Sequence, residues 1–512
     1  MAPLAATLAL RERYRDAYLE QRDPIAADRM LWRAATFRHV THLLPGQTVL
    51  ELGCGRGHFT RQLARVTRGE NPITAVTFGG EEGAPGDAAA LGLPASAALV
   101  RASSLPGPLA GRRFDVVVAM DLLDRRNCAE LLRQVYELLA PGGEAVFYES
   151  NPWNVVLRLR RALARLLGRR DPRSLLNRPQ LYELMSEVGF VRVFAIFNDF
   201  VYAPLSRRLV WLLRNLSIVL ENAPGVRTLA GSILVHAQKP PRVVPRPRVS
   251  LAEHEVLRGA VSVVVPCHDE EMNVAPLVGR LRDLYGAYLH EVVLVDDNSR
   301  DGTRAAIEAL AAEDARVRPV LRAPPNGVGR AIADGYRAAT GRWVLSMDCD
   351  FQHLLPEMRD LFDAAASGEH DVVVGSRFSR HSVLLNYPFQ KIVANRAFHS
   401  LAQLVLRRRF RDVTNNLKLM RREVVERLLL LEPDFAVNAE TGLEPLLMGY
   451  RVKEVPISWI NRAPDMGASS FRLVKVGSGY WQVLRGLWRR VVSGKGAYEA
   501  LPVAARSREA GR

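Results

Sequence analysis

The stretch SMDCDFQH, residues 346–353, follows the short apolar run Trp343-Val344-Leu345 and sets two aspartates either side of a cysteine. In an extended chain Asp348 and Asp350 point the same way. Two carboxylates aimed at one point repel, so such a strand end suits either a cation between them or a solvated loop. What flanks the stretch decides. Short β-branched runs alternate with longer helical patterns on both sides of it. The N-terminal half gives TVLEL, ITAVTF, FDVVVAM and EAVFYE; the C-terminal half gives VSVVVP, EVVLVDD, RWVLSMD and HDVVVGS. Apolar runs separated by helices predict parallel sheets covered on both faces.

Between the halves, residues 238–248 read QKPPRVVPRPR, with four prolines, four basic residues and no periodicity. Such a segment is stiff and extended and reads as a linker. The expected class is therefore α/β, with two Rossmann-like doubly wound domains at 1–240 and 259–495. A Pro/Arg-rich linker at 241–258 joins them, and a tail follows at 496–512. A chain of 512 residues is long enough for this division.

Composition excludes several classes. With 48% hydrophobic and 24% charged residues the chain is neither disordered nor fibrous. The four cysteines, Cys54, Cys128, Cys267 and Cys349, form no CxxC pair, which argues against a disulfide framework or zinc site and for a reducing cytoplasm. The N-terminal MAPLAATLALRERYRDAYLE turns charged before an apolar core is long enough for a signal peptide, and no run approaches the ~18 apolar residues of a membrane span. A cytoplasmic location is expected, with peripheral contact at the inner face of the membrane as its extension. The net charge of +16 suits anionic headgroups, nucleic acid or diphosphate substrates. Nucleic acid is not expected, because no aromatic-basic motif, zinc-finger spacing or recognition helix accompanies the charge. Residues 155–177, VVLRLRRALARLLGRRDPRSLLN, carry seven arginines against one aspartate with leucines at helical spacing. Two readings stay open there: a basic helix lying on a membrane, or a helix packed on its own domain with a solvated basic face. The same pair applies to GYWQVLRGLWRRVVSG (479–494), where Trp481 and Trp488 stand beside Arg485, Arg489 and Arg490.

In the first half, VLELGCGRGHFT (49–60) places Gly53, Gly55 and Gly57 between a strand and a helix start. Glycines there let backbone N–H groups approach a ligand closely. The spacing is GxGxG, not the GxGxxG of a dinucleotide site. With FDVVVAMDLLDR, LLAPGGEAVFYESNP, LYELMSEVGFVRV and AGSILVHAQK, the segment from about 30 to 240 resembles the class I S-adenosylmethionine-dependent methyltransferases. The resemblance implies a site for S-adenosyl-L-methionine with Glu51, Gly53, Gly55, Gly57 and Asp121 among its residues. Two acidic positions of that pattern differ here: the second strand ends Thr77-Phe78-Gly79, with Glu81 and Glu82 just beyond, and Ala102 stands before the LP turn. The domain is therefore either an active methyltransferase or a non-catalytic docking module.

In the second half, VSVVVPCHDEEMNV, EVVLVDDNSRDGT, NGVGRAIADGYRAATG, SMDCDFQH, HDVVVGSRF and NAETGLEPLLMGYRVKEVPISWINR follow in order. Together they resemble the GT-A family 2 glycosyltransferases, in the dolichyl- or polyprenyl-phosphate mannosyltransferase-like branch, over about residues 260–490. A departing nucleoside diphosphate calls for a hard cation with oxygen ligands. The resemblance implies that Asp348, Asp350 and the amide of Gln352 face Mg²⁺ or Mn²⁺, with Asp348 and Asp350 at the catalytic centre. It also implies that Pro266, Glu270, Asp296 and Asp297 hold the nucleotide of a UDP- or GDP-sugar. Arg377 and Arg462 would grip phosphate, with Lys391 or Arg396 as a third. The expected acceptor is a polyprenyl phosphate or a glycan, and Glu440 would serve as base where the acceptor is a hydroxyl. The family's R-x-x-G-x-S-K ending appears as Arg462 followed by Gly467, Ala468, Ser469 and Ser470, two residues longer and without the lysine.

Overall fold

The computed structural model describes residues 4–20, 25–78, 88–89, 91–168, 173–201, 206–242, 249–350, 355–379, 382–385, 387–460 and 473–492. The chain divides into two compact units, Met1–Pro247 and Arg248–Arg512.

The first unit is built on one seven-stranded sheet. Its strands are β1 (Val49–Leu52), β2 (Ile73–Phe78), β3 (Ala97–Ala102), β4 (Phe114–Met120), β5 (Leu139–Ser150), β6 (Val191–Asn198) and β7 (Ser232–Gln238), in the order β3-β2-β1-β4-β5-β7-β6. Strands β1 to β5 pair in parallel, and only β7 runs antiparallel to its neighbours. β1 is buried at every residue, as a central parallel strand must be when helices cover both faces. Local signals set the helix ends: Asn177 and Gln180 form a reciprocal capping box at the start of Arg178–Val188, and Gly189, at φ +102°, closes it.

The second unit carries a second seven-stranded sheet. Its strands are β8 (Val261–Cys267), β9 (Leu289–Asp296), β10 (Val317–Leu321), β11 (Trp343–Ser346), β12 (Val372–Ser376), β14 (Lys418–Arg421) and β15 (Val452–Pro456). A separate parallel pair joins β13 (Leu384–Leu385) to β16 (Trp459–Ile460). The order is β10-β9-β8-β11-β14-β12-β15, parallel throughout except for β14, which is antiparallel to both β11 and β12. Both units are of the expected α/β class, but each sheet is mixed rather than purely parallel, with β7 and β14 reversed, and each sheet reverses its winding direction once. The reversal falls between β1 and β4 in the first sheet and between β8 and β11 in the second. In an open α/β sheet, that point opens a crevice at the carboxyl ends of the strands.

Two expectations change. Residues 249–258, read as linker, belong to the second unit: Leu251 and Leu257 are buried, the Leu251 N–H donates to Leu284 O at 2.6 Å, and the His254 N–H donates to the Tyr288 hydroxyl at 2.6 Å. The proline-rich run ends at Pro247; the residues after it carry two leucines whose burial anchors them to the unit. The helix Leu473–Val492 both packs and presents: Val483, Leu484 and Leu487 join a core cluster with the helix Phe389–Leu406, while Trp481 and Trp488 stay exposed. Among the described residues no helix is long and apolar enough to cross a membrane.

Candidate functional site

The glycine loop of the first unit leaves β1 with Gly53, Gly55 and Gly57 all at positive φ, which non-glycine residues rarely adopt. Gly53 lies against Leu122, and so brings the loop beside the turn after β4 that holds Asp121. The Asp121 carboxylate accepts from the Ser150 N–H and hydroxyl, at 2.9 and 2.5 Å. Glu51 is buried and accepts from the Thr60 hydroxyl at 2.6 Å; burial pushes its pKa up to about 7.

Sequence reasoning missed what sits on this loop. The helix Leu4–Glu20 lays Glu12 and Asp16 across it. Glu12 accepts the N–H of Gly55 at 2.5 Å with one oxygen and that of Phe78, at the end of β2, at 2.7 Å with the other. Asp16 accepts the N–H of Arg56 at 3.1 Å, and a Cβ on Gly55 would overlap its carboxylate. Arg11 locks the helix down by donating to Asp121 O at 2.7 Å and to Asp124 at 3.1 Å. The donors that a cofactor's carboxylate and hydroxyls would use are thus held by the chain's own acids, and the cradle as folded does not fit S-adenosylmethionine. The sequence signal was present: Arg11, Glu12, Arg15 and Asp16 repeat at i,i+4, a pattern that also describes an ordinary solvated helix face.

In the second unit, β8, β9 and β11 are parallel neighbours, so Pro266, the Asp296-Asp297 pair and the Ser346–Asp350 turn all emerge at one edge. Because β14 runs the other way, with Ser346 opposite Lys418, its first residues lie beside the end of β11. That antiparallel reversal delivers Asn416, another residue sequence reasoning missed. Its Nδ2 donates to Asp348 Oδ1 at 2.8 Å, and its Oδ1 accepts from the Ser346 hydroxyl at 2.7 Å, so the amide aims the first aspartate. Lys418 is fully buried beneath, donating to Asn415 O, Asn438 O and the Thr441 hydroxyl; burial pushes its pKa down to about 7.

The neighbouring carboxylates are braced. Asp296 is buried and accepts from Arg304 Nε at 3.0 Å and the Ser299 N–H at 3.2 Å. Asp297 is paired with Arg322 and accepts the Gly327 N–H at 2.7 Å, which ties β9 to the glycine turn at residues 326–327. The Glu270 side chain accepts from Asn273, and its N–H donates to the Thr303 hydroxyl at 2.8 Å. Glu440 is buried on the helix Val437–Leu447 and accepts the N–H groups of Leu431 and Glu432, both at 3.0 Å. Burial pushes its pKa up to about 7.

Arg377 is engaged within the protein. Its fork binds the buried Asp412, Nε to Oδ2 at 2.7 Å and Nη2 to Oδ1 at 3.0 Å, so a carboxylate of the protein takes the geometry that a phosphate would use. The pair holds Asp412 well below the ordinary carboxylate range despite its burial. Lys391 lies within electrostatic reach of Asp350, although burial outweighs that attraction and lowers its pKa. Gln352 and Arg462 lie outside the described residues, as do Glu81, Glu82 and the segment 467–470. Among the described residues no cluster of three or more His, Cys, Asp or Glu forms a metal centre. Asp348 and Asp350 are two carboxylate oxygen donors at a strand end, a donor type that suits a hard divalent ion.

Residues 18–193 match the family model "Methyltransferase domain", and residues 262–429 match "Glycosyl transferase family 2". A polyprenol monophosphomannose synthase of Mycolicibacterium smegmatis is 28% identical over 214 residues, 40% of this chain and 79% of its own length. A dolichol-phosphate mannosyltransferase of Mycosarcoma maydis is 36% identical over 123 residues, 23% of this chain and 42% of its own length. A solved structure of glucosyl-3-phosphoglycerate synthase from Mycobacterium tuberculosis with Mn²⁺ and uridine-diphosphate-glucose is 21% identical. It covers 48% of this chain and 85% of that chain, at a TM-score of 0.35.

Replacing Asp412 by alanine strands a buried guanidinium, and the second unit is expected to lose about 3–5 kcal/mol. Urea unfolding should show a lower midpoint at unchanged slope.

Proposed function

From a chain that carries a methyltransferase domain and a family 2 glycosyl transferase domain, we propose a bifunctional transferase. The second unit moves a sugar, with inversion, from a UDP- or GDP-sugar to a polyprenyl phosphate or lipid-linked glycan, and Asp348 and Asp350 are the residues that would hold Mg²⁺ or Mn²⁺. The observation that carries this reading is the aiming of Asp348 by Asn416 at the crevice where β8, β9 and β11 end. The two mannosyltransferase relatives support a lipid phosphate as acceptor.

A divalent ion bound there would neutralise charge gathering on the departing diphosphate. The chain's own residues set the geometry. Asn416 fixes one carboxylate, and the Asp297–Arg322 pair holds the glycine turn against the end of β9. A polyprenyl phosphate oxygen is already an anion and needs no base, whereas a sugar hydroxyl needs its proton taken. Glu440, raised to about 7, is a carboxylate above that pH and a neutral acid below it.

For the first unit, methyl transfer with S-adenosylmethionine requires Glu12 and Asp16 to leave the glycine loop, and no step is derived through that cofactor. Their hold on Gly55, Arg56 and Phe78 favours a second reading, a non-catalytic docking domain.

The deciding assay offers polyprenyl phosphate with a panel of UDP- and GDP-sugars, with and without Mn²⁺. Metal-dependent transfer is expected; Asp350→Asn should abolish most of it with the fold intact, and turnover unchanged in that variant would misplace the metal. Asn416→Ala should raise the Mn²⁺ concentration needed by about 10–100-fold. Glu440→Gln should leave transfer to polyprenyl phosphate nearly intact. Were a hydroxyl the acceptor, the rate would instead fall as pH drops below about 7, and the variant would lose about 10²–10⁴-fold. For the first unit, Asp16→Ala should tighten S-adenosylmethionine binding about tenfold by calorimetry, since one charged competitor for the loop is gone. No binding by either protein at millimolar cofactor would overturn the methyltransferase reading of the first unit.

A further inference from the structure

The helix Val155–Leu166 wears its apolar stripe outward. At 100° per residue, Val155, Leu159, Leu163 and Leu166 fall within about 80° of arc. They are 50%, 59%, 53% and 82% exposed, and no residue of the helix is buried. The side turned toward the unit is marked instead by the half-buried Val156, Leu157, Arg161 and Ala164, with Arg161 Nη2 donating to Arg173 O at 2.8 Å. This outcome differs from a helix packed by its leucines with a solvated basic face: here the leucines themselves face out. Exposed leucines in a row cost free energy unless something covers them.

Charge identifies the cover. Arg158 and Arg165 flank the stripe on one side and Arg160 flanks it on the other, and the helix contains no acidic residue. The mount is firm. Asn154 caps the helix through the Leu157 N–H at 2.8 Å and donates to Leu229 O at 2.7 Å, where exposed Trp153, Val226 and Leu229 extend the apolar edge.

We propose that this helix seats the first unit on an anionic phospholipid surface, lying in the interface plane with Leu159, Leu163 and Leu166 at the acyl boundary and the arginines among the phosphates. A groove on a protein would offer acids along one wall, whereas a lipid surface offers phosphates on both flanks of a narrow apolar stripe at once. The inference stands apart from glycosyl transfer, whose failure would appear in the donor assay and leave sedimentation unchanged.

The test is co-sedimentation of the full chain with vesicles of phosphatidylcholine alone and of phosphatidylcholine mixed with phosphatidylglycerol. Binding to the anionic vesicles only is expected. Leu159→Glu/Leu163→Glu should weaken it at least about tenfold while thermal unfolding stays put, because both side chains point outward. Arg158→Gln/Arg160→Gln/Arg165→Gln should cost about fivefold per arginine. Sedimentation of the double-glutamate variant equal to that of the native chain would overturn the proposal, as would a native chain that binds neither vesicle. A dimer in size exclusion that this variant dissolves would also overturn it, by showing that the stripe covers a second copy.

Discussion

Carboxylates crowded at one edge of a sheet repel, and the second unit is arranged around holding them there. Parallel pairing of β8, β9 and β11 forces the ends of all three strands to the same side. Three acids at that edge are braced from different parts of the chain: Asp296 from Arg304, Asp297 from Arg322 and Gly327, Asp348 from Asn416. These braces carry positive charge or N–H groups, so they lower the repulsion as well as fix direction. The single antiparallel strand, β14, is what makes the last of them possible, since only its reversed course starts beside the end of β11.

The first unit solves the same topological problem with a different occupant. Its winding also reverses beside a central strand, and its glycine loop also offers backbone N–H groups to carboxylates. There the donors meet Glu12 and Asp16 of the N-terminal helix. The carboxylate absent from the end of β2 in the sequence is present in space, because Glu12 bonds the Phe78 N–H. Similar loops thus lead to opposite states: one crevice is framed by acids that face it, the other is filled by acids that bond its backbone.

Burial explains which ionisable groups are structural. Arg377 and Asp412 are both buried and bidentate, and a pair of that kind resists disruption chiefly because losing one partner leaves an uncompensated charge. Lys418 has three neutral acceptors and a pKa lowered by burial, which ties the start of β14 to the helix bearing Glu440. A shared framework therefore sets both the aim of Asp348 and the position of Glu440.

The β-branched runs and the ordered motifs were enough to determine two α/β units and to put Asp348, Asp296 and Asp297 at strand ends, because a parallel strand buried on both faces must be apolar along its length. Glycine spacing likewise placed the loop after β1, since positive φ leaves few alternatives to glycine. Partners distant in sequence were not legible. Asn416 lies 68 residues from Asp348, and Glu12 lies 43 from Gly55. Neither asparagine nor an i,i+4 acid carries a local pattern that names its partner. The pairing of Arg377 with Asp412 was not legible either, because a guanidinium fork fits phosphate and carboxylate equally well and only the fold brought Asp412 to it. The leucine–arginine pattern of residues 155–166 fixed an amphipathic helix but not which way it faces. Periodicity records the relative angle of side chains around a helix axis; the direction of that axis against the rest of the molecule is set by tertiary packing alone.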